Sequence, residues 1–145
     1  MARFEIDGID DLNKAFSGLG NVPESVVSDA VTSMARVAAE KIKASGETMR
    51  VRSDEAPHLL DSIKVGKFKK TAAGGYVDVT FSGTQKSSPG AKPVRNDRIA
   101  FENEYGNRQQ DARPFVTNGL AKNEDLIVAP AAKILGEWAD KTFTD

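Results

Sequence analysis

The spacing of apolar residues predicts a long helix in the N-terminal half of the chain. From Glu24 to about Ala44, apolar side chains recur every three or four positions, at Val27, Val31, Met34, Ala38 and Ile42. This interval places them in one stripe along a helix, which can pack against other elements. Pro23 precedes the stripe at a position that favours a helix start. Ser45-Gly46 is the expected end.

Alternation of apolar and polar residues predicts strands in three places. The first is the short stretch ARFEID near the N-terminus, which a small helix over residues 9–19 follows. The second is residues 63–81, where Ala72–Gly75 forms the turn of an antiparallel hairpin. The third is residues 99–105, with Ile99, Phe101 and Tyr105 on one face and Glu102 and Glu104 on the other.

The remaining segments predict an arm and a final helix. Residues 83–98 are rich in Gly, Pro, Ser, Lys and Arg and carry no core pattern, so we expect an exposed, mobile arm or loop. Pro114 fits the first turn of the final helix, and Pro130 is expected to kink or restart it. The order of elements predicts a single α+β domain over residues 1–145. In it a small, mostly antiparallel sheet of about four strands packs against the long helix and the C-terminal helix.

Composition excludes several classes of function. The 145 residues contain no cysteine, which rules out disulfides, thiol catalysis and cysteine-ligated zinc. No apolar run approaches the roughly 20 residues of a membrane span, and the N-terminus has no apolar signal region. We therefore expect an aqueous, intracellular place of assembly and no membrane partner.

Charge is concentrated in the middle of the chain. Residues 64–98 carry 8 Lys and Arg against 2 Asp and Glu, whereas both flanks are acidic. Such a basic segment suits either phosphates or an acidic neighbouring subunit. The predicted phosphate-facing residues on the hairpin are Lys64, Lys67, Lys69 and Lys70. The predicted interface residues on the arm are Lys86, Lys92, Arg95 and Arg98.

Two carboxylates are the candidate for catalysis. Glu102 and Glu104 lie two apart on the predicted strand face, about 7 Å from one another, a range that suits hydrolysis of a glycoside. A solvated face, or one that meets a basic neighbour, explains the same pattern and is favoured, because no sugar-stacking platform is evident. His58 is the only histidine, and a lone histidine without a nucleophile or a second imidazole in the sequence indicates neither a catalytic triad nor a metal cluster. No catalytic, metal or cofactor site is therefore predicted.

The segment around residues 104–115 predicts a structural corner. Gly106 permits a turn that other residues resist, and Pro114 starts the next helix at a set angle. We expect Tyr105 to lock the strand end with its ring. Arg113 is expected to engage a carboxylate such as Glu104, and Phe115 to pack on the sheet or at a contact. Together with Glu102, these residues form a predicted interface between copies.

The order of motifs resembles a known family. Six segments follow one another in the same order as in head–tail joining proteins. They are the opening RFEIDGIDDLNKAFSGLG, the Ala-rich helix of residues 22–44, LLDSI at 59–63, the basic hairpin, EYG at 104–106 and ARPF at 112–115. These are the neck or tail-completion proteins of long-tailed, lambdoid-type bacteriophages. The match runs nearly end to end, with departures at Ala56-Pro57-His58-Leu59 and at Pro130.

The resemblance implies a structural virion protein and no enzyme activity. Its partners would be further copies of itself in a ring, with six-fold symmetry, together with the head connector or stopper protein and the tail tube or terminator protein. Double-stranded DNA would pass through the lumen, and assembly would take place in the host bacterial cytoplasm. A tail terminator or minor tail protein is the alternative within this class, and a nucleic-acid-binding module that uses the basic hairpin and arm is the alternative outside it.

Overall fold

A computed structural model describes residues 22–51, 59–72, 74–86 and 89–143, together with the backbone of residues 4–5. Its elements, in chain order, are β1 (Phe4–Glu5), α1 (Glu24–Thr48), a 3₁₀ turn (Leu59–Ser62), β2 (Ile63–Val65), β3 (Lys69–Thr71), β4 (Gly74–Tyr76), β5 (Asp78–Phe81), β6 (Thr84–Gln85), β7 (Val94–Arg95), α2 (Asn96–Tyr105), α3 (Phe115–Ala121) and α4 (Glu124–Phe143). The predicted small helix over residues 9–19 and His58 lie outside the described residues.

The α+β class is confirmed, and the strands form small antiparallel sheets. The central sheet has the order β1-β5-β2, with Phe4 opposite Val79 and Ile63 opposite Phe81. Strands β3 and β4 form a second pair, and β6 and β7 form a third. The predicted hairpin over residues 63–81 is therefore present. A sheet of about four strands is not seen in the described residues, because the expected strand at 99–105 is helical.

Helix α1 is confirmed and extends beyond its expected end. It continues through Ser45 and Gly46 to Thr48. A Cβ on Gly46 would lie 2.4 Å from Cδ2 of Leu60, so glycine allows Leu60 to pack directly on the helix backbone. The glycine that suggested a helix end is thus a packing site inside the helix.

The core lies on two faces of α1. On one face, Val31, Ala35 and Ile42 pack with the central sheet, with Ile99 and Ala100 of α2, and with Phe115 and Val116 of α3. On the other face, Ala30, Met34 and Ala38 pack with Ile127, Ala131 and Leu135 of α4. Helix α1 therefore separates the sheet layer from α4.

The C-terminal helical segment breaks at a different place from the one predicted. Helix α3 ends at Ala121, and α4 then runs from Glu124 to Phe143 without interruption at Pro130. Ile127, Ala131 and Leu135 hold α4 against α1 on both sides of the proline, which outweighs the loss of one backbone hydrogen bond. No helix in the described part of the chain is long and apolar enough to cross a bilayer.

Candidate interface around helix α2

Residues 96–105 form helix α2, and this changes which side chains share a face. Ile99 and Ala100 are buried, as are the polar side chains of Asn103 and Glu104. The buried positions follow a helical interval, whereas the alternation of Ile99, Phe101 and Tyr105 suggested a strand. The strand prediction was wrong because two of the buried side chains are polar, and polar residues were taken to mark the exposed face.

Buried hydrogen bonds hold the N-terminal end of α2 in place. Nδ2 of Asn96 donates to the carbonyl of Ser82 at 2.7 Å, and Nε2 of Gln85 donates to Oδ1 of Asn96 at 2.6 Å. The backbone N–H of Asn96 also donates to the carbonyl of Gly83. These bonds fasten strand β6 to the helix, so both ends of the predicted arm belong to the folded domain.

The carboxylate of Glu104 holds the C-terminal end of α2 against α3. It accepts the backbone N–H of Val116 at 2.9 Å and that of Thr117 at 3.1 Å, and it also accepts the hydroxyl of Thr117. An acceptor at this position satisfies N–H groups that have no partner within α3, as an N-cap side chain does. Pro114 directly precedes α3 and provides no side-chain cap of its own. Glu104 is thus a structural residue of the corner.

The turn between α2 and α3 confirms the predicted need for glycine. Gly106 has φ 76° and ψ 173°, and a Cβ there would lie 2.8 Å from the backbone nitrogen of Ala112.

Arg113 lies beyond the turn, and its Nη1 donates to the carbonyl of Arg50 at 2.5 Å. The predicted pairing of Arg113 with Glu104 is therefore absent, because the Glu104 carboxylate is occupied by α3. Arg113 instead links the corner to the end of α1.

Of the two aromatic residues at the corner, Phe115 packs on the sheet as expected, whereas Tyr105 faces solvent and does not lock the end of a strand. Phe115 is fully buried and meets Phe81 edge to face, with ring centroids 5.8 Å apart. Tyr105 is 64% exposed and contacts Phe101, which is 52% exposed, at a centroid distance of 4.8 Å. Phe115 is therefore unavailable to a neighbouring molecule, whereas Phe101 and Tyr105 present an aromatic surface. Phe101 was not among the interface residues predicted from the sequence, although its i, i+4 spacing from Tyr105 becomes informative once the segment is known to be helical.

The two carboxylates proposed for acid–base chemistry do not face one another. Glu102 is half-buried and accepts Nε of Arg98 at 3.3 Å on the outer side of α2, whereas Glu104 points inward to α3. A cleft of about 360 Å³ lies beside Glu102, and four of its eight lining residues carry amide side chains. Within the described ranges, no cluster of histidine, cysteine or acidic residues suits a metal ion.

The predicted basic residues lie on two separate hairpins, except Arg98, which lies in helix α2. On the first, Lys64, Lys67, Lys69 and Lys70 are exposed. Nζ of Lys70 lies 3.1 Å from the carboxylate of Glu24, and that of Lys69 lies 5.9 Å from the ring centroid of Tyr76. For Lys64 and Lys67, no ion pair forms with any other described residue. These two are the side chains best placed for phosphate.

The second hairpin, β6–β7, carries the basic residues that were expected on a mobile arm. Lys86, Lys92 and Arg95 are exposed, and Arg95 pairs with the carboxylate of Asp97. The strands pair Thr84 with Arg95 and Gln85 with Val94. The segment is therefore a short hairpin with an exposed tip at residues 89–93. Mobility of that tip stays a prediction.

Comparison of the chain with protein-family models, curated proteins and solved structures finds no significant match.

Proposed function

We propose that the protein is a structural subunit of the neck of a long-tailed bacteriophage, where it joins the head connector to the tail as part of a ring. The order of the motifs from the N-terminal strand to the ARPF segment supports the choice of family. The geometry supports a contact function, through an aromatic pair exposed on a short helix whose two ends are fixed.

The observation that carries the proposal is the exposure of Phe101 and Tyr105 beside the buried Glu104. Two solvent-exposed aromatic side chains in contact are a feature of surfaces that bind other proteins, and aromatic residues contribute much of the binding energy of such contacts. Glu104 fixes the helix that presents them, so little conformational freedom is lost on binding. This arrangement favours a preorganised protein-binding surface over a catalytic site.

The proposal includes the partners and the place of action. The protein would form a six-fold ring with copies of itself, between the head connector or stopper protein and the tail tube or terminator protein. Double-stranded DNA would pass through the lumen, and the assembled protein would be found in the virion. A tail terminator or minor tail protein is the alternative within the same class.

A second candidate function is a nucleic-acid-binding module. The exposed Lys64 and Lys67 favour it, because neither forms an ion pair with another described residue. Their contribution would be electrostatic and independent of base sequence. Stacking platforms near them are few, with Phe68 and Tyr76 half-buried, which favours contact with a phosphate backbone over binding of single strands.

Deletion of the gene from the phage or prophage that encodes the protein tests the proposal. Electron microscopy of the lysate is expected to show DNA-filled heads and finished tails that are not joined. Tails of irregular length would instead support the tail-terminator alternative. Normal infectious particles would overturn the proposal, since a joining ring is needed for every particle.

Complementation of the deletion tests the aromatic surface. The double variant Phe101→Ala/Tyr105→Ala is expected to leave heads and tails apart although the protein folds, as circular dichroism would check. Phe143→Ala removes another exposed aromatic ring, at the end of α4 and away from the corner, and is the matched control. Joining by the double variant at the level of the control would contradict a contact function for this face.

A further inference from the structure

Two exposed helix faces of this chain have the same spacing. The outer face of α2, here called the aromatic face, consists of Arg98, Phe101, Glu102 and Tyr105. The outer face of α4, here called the apolar face, consists of Asp125, Val128, Ala129 and Ala132. Both sets occupy positions i, i+3, i+4 and i+7, which form one row along a helix. Two such rows of equal spacing can be laid against one another turn by turn.

The two faces lie on opposite sides of the subunit. Helix α2 packs with the sheet layer through Ile99 and Ala100, whereas α4 packs on the other side of α1 through Ile127 and Ala131. One copy of the chain therefore cannot bring its own aromatic face to its own apolar face. Two copies can do so, and each then retains one unused face for the next copy, as a head-to-tail ring requires.

We propose that the aromatic face of one copy packs on the apolar face of the next copy, with α2 and α4 parallel. This proposal rests on the proposed ring and names the surfaces that form it. In the parallel register Arg98 lies opposite Asp125, Phe101 opposite Val128 and Tyr105 opposite Ala132. The large rings meet small or branched apolar side chains, so both rows lose contact with water without steric conflict.

The charged residues favour parallel over antiparallel packing of α2 and α4. In the parallel register the guanidinium of Arg98 meets the carboxylate of Asp125, and both are exposed in the free subunit. In the antiparallel arrangement Arg98 would lie opposite Ala132, away from Asp125 and close to the neighbouring exposed cation Lys133. The existing ion pair of Arg98 with Glu102 is exposed to solvent and weak, so little free energy is lost when Arg98 pairs with Asp125 instead.

Charge and size also favour α4 over a second aromatic face as the occupant. If two aromatic faces met about a two-fold axis, Arg98 would lie opposite Tyr105 and Phe101 opposite Glu102. The carboxylate of Glu102 would then be covered by a phenyl ring, and its present bond from Arg98 would be the one left to replace its contacts with water. The apolar face has no such conflict, because Ala129 lies opposite Glu102 and leaves its carboxylate at the edge.

Cross-linking of single-cysteine variants tests the contact, since the chain contains no native cysteine. Tyr105→Cys and Ala132→Cys proteins, mixed at high concentration with a short bismaleimide, are expected to give a dimer that contains one copy of each. Ala121→Cys places the same substitution at an exposed position of α3 and is the matched control for Ala132→Cys. It should not cross-link to Tyr105→Cys.

Several outcomes would overturn the assignment of the two faces. Tyr105→Cys cross-linked mainly to itself would show the two-fold contact instead. A protein that stays monomeric at every concentration, or oligomers without the mixed dimer, would show that these faces do not meet between copies. Unjoined heads and tails after gene deletion would leave the proposed function standing in each of these cases, so the two failures are distinguishable.

Charge exchange across the proposed contact gives an independent measurement. Arg98→Asp and Asp125→Arg are each expected to weaken self-association about tenfold, because each places like charges opposite one another at an interface. The double variant restores opposite charges and is expected to recover most of the lost affinity, as analytical ultracentrifugation would measure. Double-variant affinity no better than that of the weaker single variant would contradict the pairing of these two residues.

Discussion

The carboxylate of Glu104 accepts the backbone N–H of Val116 at 2.9 Å and thereby joins the last turn of α2 to the first turn of α3. Glu104 is 3% exposed, so this bond is shielded from water. The two helices meet at a corner whose angle is fixed by Gly106 and by this one side chain. The aromatic face of α2 takes its orientation from that corner.

Replacement of Glu104 is expected to loosen the corner. Glu104→Ala leaves two backbone donors and the Thr117 hydroxyl without their acceptor, and we expect a loss of about 2 to 3 kcal/mol in the free energy of unfolding. Glu104→Gln retains one oxygen acceptor and should lose less. Urea denaturation followed by circular dichroism measures both.

Glu102→Ala is the control for the Glu104 variants. Glu102 lies on the same helix but forms an ion pair on its outer side, so its removal should change stability by less than about 0.5 kcal/mol. Equal losses for Glu104→Ala and Glu102→Ala would show that the buried cap does not stabilise the corner.

Gly119 is expected to be required where α3 crosses α1. A Cβ at this position would lie 2.9 Å from the carbonyl oxygen of Lys41 and 3.1 Å from Cα of Ile42, both backbone atoms of α1. Gly119→Ala should force the two helices apart and lower the free energy of unfolding by about 1 to 3 kcal/mol. Thermal or urea denaturation checks this.

Gly136→Ala is the matched substitution in open space. Apart from the neighbouring residues and backbone of α4 itself, no atom lies within 4 Å of the added Cβ, and alanine favours a helix over glycine by about 0.5 to 1 kcal/mol. The expected result is a more stable protein. A loss of stability at Gly136 equal to that at Gly119 would mean that the close approach to α1 is not the cause.

The β6–β7 hairpin is expected to exchange its amide hydrogens unevenly. The N–H of Asn96 donates to the carbonyl of Gly83, and the Asn96 side chain is buried, so its amide should exchange slowly. Gly90 lies at the exposed tip and should exchange quickly. Hydrogen exchange of the monomer by NMR tests this contrast. Uniformly fast exchange over residues 83–98 would support a mobile arm in place of a hairpin.

Binding of DNA by the monomer discriminates the two candidate functions. A structural ring subunit is expected to give no retarded band with duplex DNA at physiological salt. Retardation that weakens steeply with salt, and that Lys64→Gln/Lys67→Gln reduces, would favour the nucleic-acid-binding module, because phosphate contacts release counterions. Lys133→Gln removes an exposed lysine from α4 and is the control for a change in total charge.

Part of the candidate site was predictable from its residues. Gly106 and Pro114 marked the corner, because a positive φ and the geometry of proline have local causes. Packing of Phe115 on the sheet was also expected, whereas the role of Glu104 was not predictable. A buried carboxylate is tolerated only where donors meet it, and the donors of Val116 and Thr117 are brought to Glu104 by the packing of α3.

The sequence by itself determined the elements that have a regular apolar period. The stripe from Val27 to Ile42 defines α1, and the alternation at Val77, Val79 and Phe81 defines the inner face of the hairpin. Burial of apolar surface is favourable, and these spacings place the apolar side chains on one face of a helix or a strand. The absence of cysteine likewise determined which chemistry the chain lacks.

Only the tertiary structure decided the conformation of residues 96–105 and the exposure of their aromatic rings. Glu104 is buried because backbone N–H groups of α3, twelve and thirteen residues away in sequence, donate to its carboxylate, and a local sequence pattern does not reveal those partners. Asn103 is buried beside it, and its Nδ2 donates to the carbonyl of Ile99 one turn earlier in α2. Once these two face inward, the helix turns Phe101 and Tyr105 toward solvent. The surface that we propose for docking thus exists because two buried polar residues, together with the buried Ile99 and Ala100, orient the helix.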